Sequence, residues 1–262
     1  MTNQRMPALF IGHGSPMNVL EDNLYTRCWQ HLGETLPRPK AIVVVSAHWF
    51  TRGTGVTAME KPRTIHDFGG FPQALYDTHY PAPGSPELAR HLVDLLAPVP
   101  VALDKEAWGF DHGSWGILTK MYPDADIPMV QLSIDQTKPA EWHLQQGKKL
   151  AALRDEGVML IASGNVVHNL RMVRWQGDSE PYPWATAFDQ YVKDNLTWQG
   201  PEAEHPLVNY LSHEGGALSN PTPDHFLPLL YTLGTWDGQE PVTLPVEGIE
   251  MGSLSMLTVQ VG

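Results

Sequence analysis

Five histidines each follow or open a regular element beside small residues, three of them after an apolar run. His13 follows Ala8-Leu9-Phe10-Ile11-Gly12, and His48 follows Ala41-Ile42-Val43-Val44-Val45-Ser46-Ala47. His168 comes shortly after Val158-Met159-Leu160-Ile161-Ala162-Ser163, His112 lies in a Gly/aromatic stretch over 106–116, and His225 ends Pro221-Thr222-Pro223-Asp224-His225. Imidazole is the commonest protein metal ligand, and neighbouring glycines let a ligand approach the backbone. Five such placements point to one shared metal or catalytic site. Histidines at strand ends can also cap exposed carbonyls, and His31, His91, His143 and His205 read as ordinary core or surface residues. His66, His79 and His213 fall in loops. Cys28 is the single cysteine, which leaves no thiolate set for a structural zinc site. An all-imidazole set suits Zn, Fe, Cu or Ni.

The elements that must position these rings follow from hydrophobic pattern. Continuous apolar runs rich in β-branched residues read as strands buried on both faces, and open α/β sheets bind ligands at their strand carboxyl ends. Strands are expected at 7–11, 41–50, 56–59, 99–103, 129–134, 158–162 and 249–261, the last with a bulge or edge position at Met256-Leu257. Helices are expected over 24–36, from Pro86 behind a capping Ser85, over 139–156 behind Thr137, and over 184–198. A further helix would start at Thr222-Pro223, with His225 in its first turn, where the dipole favours a neutral ring by about 0.3–1 kcal/mol. The aromatic, Gly- and Pro-rich stretch 61–84 reads as a binding loop or lid, and 106–116 as a second loop. The expectation is an α/β fold, a single domain over 1–262, with a mainly parallel or mixed central sheet flanked by helices and a metal site at the strand carboxyl ends.

Composition narrows the partners. A net charge of −12 with no Lys/Arg run argues against nucleic acid and anionic membrane. At 42% hydrophobic residues the chain can bury a core, so disorder is not expected. The apolar stretch 6–11 is too short for a secretory signal, and no later run approaches a membrane span. With its lone cysteine, the sequence predicts a soluble cytoplasmic protein.

Gly12-His13-Gly14-Ser15-Pro16, Ser46-Ala47-His48-Trp49, Asp111-His112-Gly113, Ser163-Gly164-Asn165-Val166-Val167-His168-Asn169 and Pro221-Thr222-Pro223-Asp224-His225 occur in this order. In this series the chain resembles the LigB-like class III extradiol ring-cleaving dioxygenases, in their 4,5-DOPA branch, over nearly its whole length. The resemblance implies His13, His48 and His225 as ligands of one divalent metal, Fe(II) for turnover or Zn(II) at rest. It implies His168 as acid–base residue and possible fourth ligand of the resting form, and His112 as a group holding substrate and dioxygen. A catechol and O2 are the implied reactants, with L-DOPA opened to 4,5-seco-DOPA. Asn220 stands where many bacterial relatives carry histidine. Arg171 and Arg174 are candidates to meet a substrate carboxylate, or surface ion-pair residues. Two other readings are a zinc-binding relative without oxygen chemistry and a zinc hydrolase, the latter weakened by the absence of HExxH.

Overall fold

The computed structural model describes residues 5–175 and 180–262. Among them, strands β1 (Ala8–Gly12), β2 (Ala41–Thr51), β3 (Thr54–Thr57), β4 (Val101–Asp104), β5 (Met129–Asp135), β6 (Val158–Gly164), β7 (Val242–Val246) and β10 (Thr258–Val261) form one sheet in the order β4-β3-β5-β2-β6-β1-β10-β7. The pairs β5–β2, β2–β6, β6–β1 and β3–β4 are parallel, whereas β10 runs antiparallel to both its neighbours and β3 to β5. The sheet is therefore mixed around a parallel centre. Two short strands, β8 (Ile249–Glu250) and β9 (Leu254–Ser255), form a separate hairpin.

Both faces of the centre are buried, and the period-2 alternation of each strand divides its side chains between two cores. Ala8, Phe10, Val43, Val45, Leu160 and Ala162 face one core. Leu9, Ile11, Ile42, Val44, Met159 and Ile161 face the other. Helices α1 (Leu24–Thr35) and α4 (His112–Met121) cover the second face, while α3 (Pro86–Leu95), α5 (Ala140–Asp155), α6 (Pro183–Asp194) and α8 (Leu227–Gly234) cover the first. Single helical turns occupy α2 (Gln73–Tyr76) and α7 (Gly216–Ser219). Capping explains several starts. Asn23 and Thr26 form a reciprocal capping box on α1, and Ser85 accepts from Leu88 N–H at 3.1 Å with Pro86 as first helical residue. Among the described residues no helix is long and apolar enough to cross a membrane.

Four expectations need correcting. His112 does not sit in a loop: it opens α4, because the buried Asp111 side chain caps the helix by accepting from Ser114 N–H. His225 lies in the turn before α8 rather than in its first turn, so the helix-dipole argument does not apply to it. Helix α5 starts after Pro139 without a side-chain cap, since Thr137 instead hydrogen-bonds Asp135. The stretch 249–261 is not one strand. Chain reversal at Met251-Gly252, both at positive φ, splits it into the β8–β9 hairpin, and the break at Met256-Leu257 precedes β10.

Candidate metal centre

The three central parallel strands set the site. Ile11 of β1 and Ser46 of β2 both pair with Ser163 of β6. His13 and His48 each follow two residues later, so they emerge on either side of the β6 end. Strand β2 also loses register with β5 between Val45 and Phe50, a bulge that carries Ser46-Ala47-His48-Trp49 out of the ladder. The end of β6 ties the other loops together. Gly164 C=O accepts from His13 N–H at 3.1 Å, and Asn165 N–H donates to His225 C=O at 2.9 Å. Helix α4 approaches so closely that a Cβ on Gly113 would lie 2.6 Å from Ser46 Oγ and 2.9 Å from His48 Cδ2.

All five histidines reach one cavity of about 340 Å³, together with Asp67, Phe68, Phe71, Leu170, Trp175, Met251 and Leu254. The rings of His13, His48 and His225 form a nearly equilateral triangle, with centroids 5.0, 5.2 and 5.0 Å apart. An imidazole ligating through nitrogen at about 2.1 Å has its centroid roughly 3.2 Å from the ion, so three rings sharing one ion stand about 5 Å apart. Nε2 of His13 and Nε2 of His48 are 3.1 Å apart, within the roughly 3.0–3.4 Å set by two such bonds on one ion. His225 Nε2 is buried with no partner. A buried ring nitrogen of this kind, on a ring beside two other imidazoles, is open to an ion or a water.

The far nitrogens are held from behind, as in many metal sites. His13 Nδ1 lies 2.9 Å from Ser163 Oγ, His48 Nδ1 3.3 Å from Asp67 Oδ2, and His225 Nδ1 pairs with the Asp224 carboxylate. The Asp67 and Asp224 carboxylates only accept, which favours the proton on Nδ1 of His48 and His225 and leaves their Nε2 to ligate, while Ser163 Oγ can serve His13 as donor or acceptor. Burial first, and the neighbouring imidazoles second, hold His13 and His48 well below the usual histidine range. These two rings are therefore neutral, the form a metal needs. This donor set fits a divalent transition ion.

His112 departs from the triangle, with centroids 4.0 Å from His48 and 5.6 Å from His13. One of its ring nitrogens nevertheless lies within 4.8 Å of donor atoms of His13 and His48, so these three could also hold a metal. Both its backbone N–H and Nδ1 bond Asp67, at 2.9 and 3.0 Å. His168 lies flat on His225, its backbone N–H bonded to Ser219 C=O and its backbone bridged to Leu254. Arg174 is not in the cavity lining: it stacks 4.0 Å over the Tyr182 ring and donates to Glu180 C=O. Asn220 also points elsewhere, donating to Val166 C=O.

Asp67, Asp224 and the pair Asp111–Gln131 escape sequence reasoning as site residues. Asp67 opposes its own burial by bonding His112, which leaves its carboxyl below the usual range. Burial, then the nearby Asp67, pushes Asp111 up to about 6 while it receives Ser46 Oγ at 2.7 Å and the Gln131 amide. The available signal was position alone: Asp67 in the long aromatic loop and Asp224 beside His225.

This centre, at the carboxyl ends of a mixed α/β sheet, matches a known class. The profile described as "Catalytic LigB subunit of aromatic ring-opening dioxygenase" matches residues 7–257, and the chain belongs to this family of extradiol ring-cleaving dioxygenases. Within it, the chain is 82% identical over its full length, and over 97% of the relative, to the 4,5-DOPA dioxygenase extradiol of Escherichia coli K12. It is 39% identical to the enzyme of that name from Beta vulgaris, across 86% of this chain and 85% of the other. A crystal structure of an uncharacterized protein from E. coli K12 superposes with a TM-score of 0.90 at 78% identity, covering 98% of this chain and all of the other.

Proposed function

We propose that residues 1–262 work as one catalytic domain in which His13, His48 and His225 hold a single divalent metal, Fe(II) in the active form, with Zn(II) able to occupy the same site in a form that does not turn over. The substrate in this reading is L-DOPA, whose catechol ring opens beside the diol and takes up both atoms of O2 to give 4,5-seco-DOPA. The triangle of rings around the unpaired His225 Nε2 carries the metal assignment. The relatives named for DOPA cleavage support the substrate. When bound, the metal supplies a template for the catechol oxygens and O2 and an electron path between them.

The chain's own residues do the rest. His168 takes a catechol hydroxyl proton and later returns it to the opening ring. Burial and His225 hold its ring well below the usual histidine range, so the proton is kept only while the substrate's developing negative charge lies beside it. His112 donates an Nδ1–H hydrogen bond to the Asp67 carboxylate, which leaves its other nitrogen to accept from the substrate hydroxyl. Phe68 packs edge-on to His112, with ring centroids 5.5 Å apart, and with Phe71 and Leu254 keeps water from the reacting ring. A cytoplasmic location accords with the lone Cys28 and the net charge of −12. Anaerobic loading with Fe(II), then L-DOPA and air, tests this reading. A yellow product with one O2 consumed per L-DOPA is expected; loaded protein that consumes no O2 with L-DOPA contradicts it.

A further inference from the structure

At the cavity mouth, Met251 holds a backbone conformation that L side chains rarely adopt. It has φ 51°, and Gly252 after it has φ 78°. Ser253 N–H closes the turn onto Glu250 C=O at 3.2 Å. Two positive φ values in a hairpin turn normally belong to Asn, Asp or Gly, and an unbranched apolar residue in the first position is out of place. Such outliers persist where the surrounding structure over-determines them, often at ligand sites.

Here the turn is stitched to the segment carrying His168. Ser255 N–H donates to Val167 C=O at 2.9 Å, Asn169 N–H to Ser253 C=O at 3.2 Å, and Arg174 N–H to Met251 C=O at 2.9 Å. His168 itself bridges to Leu254. The Met251 backbone is thereby fixed at the cavity wall, which the residue lines. Leu170 and Trp175 line the same cavity yet remain 57% and 73% exposed. They form an apolar rim with nothing among the described residues over it. With the diol held at the histidines, this rim is apolar surface of the same cavity open to the remainder of a substituted ring. A thioether is polarizable and adaptable, suited to pack against an alkyl chain or a ring edge.

We propose that Met251 contacts the carbon chain on a substituted catechol and selects substituted rings over catechol itself. The inference rests on the catechol-cleaving reading above. Its test compares the Fe(II)-loaded wild type with Met251→Asn and Met251→Leu on catechol, 4-ethylcatechol and L-DOPA, alongside thermal melting. Asn suits the turn, so Met251→Asn should melt no lower than the wild type. It should lose about tenfold in kcat/KM, through KM, on the two substituted substrates. On catechol it should change by less than about twofold, and Met251→Leu should stay near the wild type on all three. Equal loss of Met251→Asn on all three substrates, or loss on none, overturns the proposal while the wild type is active. A lower melting temperature for Met251→Asn removes the strain argument and overturns it too. A wild type that opens no catechol instead defeats the catechol-cleaving reading and this inference with it.

Discussion

The His168 ring lies on the His225 ring with centroids 3.5 Å apart and planes 3° from parallel. This stack sets the residue proposed to move a proton directly against one proposed to ligate. Removing His168 should therefore separate the two roles. His168→Ala should retain metal, measured as ions per chain, while turnover falls by about 10²–10⁴-fold, the usual worth of a general acid–base group. Unchanged turnover in that variant would take His168 out of the mechanism.

Asp67 serves two rings at once. One carboxylate oxygen holds His112 Nδ1 at 3.0 Å and the other faces His48 Nδ1 at 3.3 Å. Asp67→Asn keeps the shape and removes the charge that orients both rings. Its metal affinity or activity should drop by about 10–100-fold, as for other carboxylates behind a metal-ligating histidine. Isothermal titration with Zn(II) and O2 uptake would read the two losses separately.

Two glycines in α4 should respond with opposite signs. A Cβ on Gly113 meets Ser46 and His48 at under 3 Å, whereas one on Gly116 finds only Val19 Cγ2 at 3.4 Å. Gly113→Ala should cost about 1–3 kcal/mol by overpacking and disturb metal binding. Gly116→Ala should be neutral or add up to about 1 kcal/mol, because alanine is the better helix former. Urea denaturation of the two variants would check the contrast.

Acid should weaken the fold through a histidine remote from the centre. His143 is fully buried against Tyr231 OH at 3.0 Å, and burial lowers it from 6.5 to about 4. The unfolded chain takes up this proton near pH 6.5 and the folded chain only near pH 4. Stability is therefore full above pH 6.5 and lost as pH falls through that window, by up to about 3 kcal/mol for this group. His205, also lowered to about 4 by burial, adds to the effect. Unfolding free energies at pH 7 and pH 4.5 should differ less in His143→Gln than in the wild type.

Much of this arrangement is written in local sequence. Ala41–Val45 and Val158–Ala162 announce doubly buried strands because nothing in them could face water, and His13 and His48 follow at their carboxyl ends. The mixed α/β sheet and the convergence of five histidines on one cavity follow from that pattern. Asp67 was hidden because its partners, His48 and His112, lie 19 and 45 residues away. The helical status of His112 was masked by Gly113 and Gly116, which both read as loop residues, although only Gly113 is there for close packing. The strained turn at Met251 was equally unreadable, since methionine carries no turn signal of its own.

The most direct test of the centre is the metal content of His225→Ala beside that of His112→Ala, after anaerobic Fe(II) loading and gel filtration. With His13, His48 and His225 as ligands, His225→Ala should emerge nearly metal-free and His112→Ala should keep about one ion per chain. Retention by His225→Ala with loss by His112→Ala would instead assign the ion to His13, His48 and His112 and contradict the account.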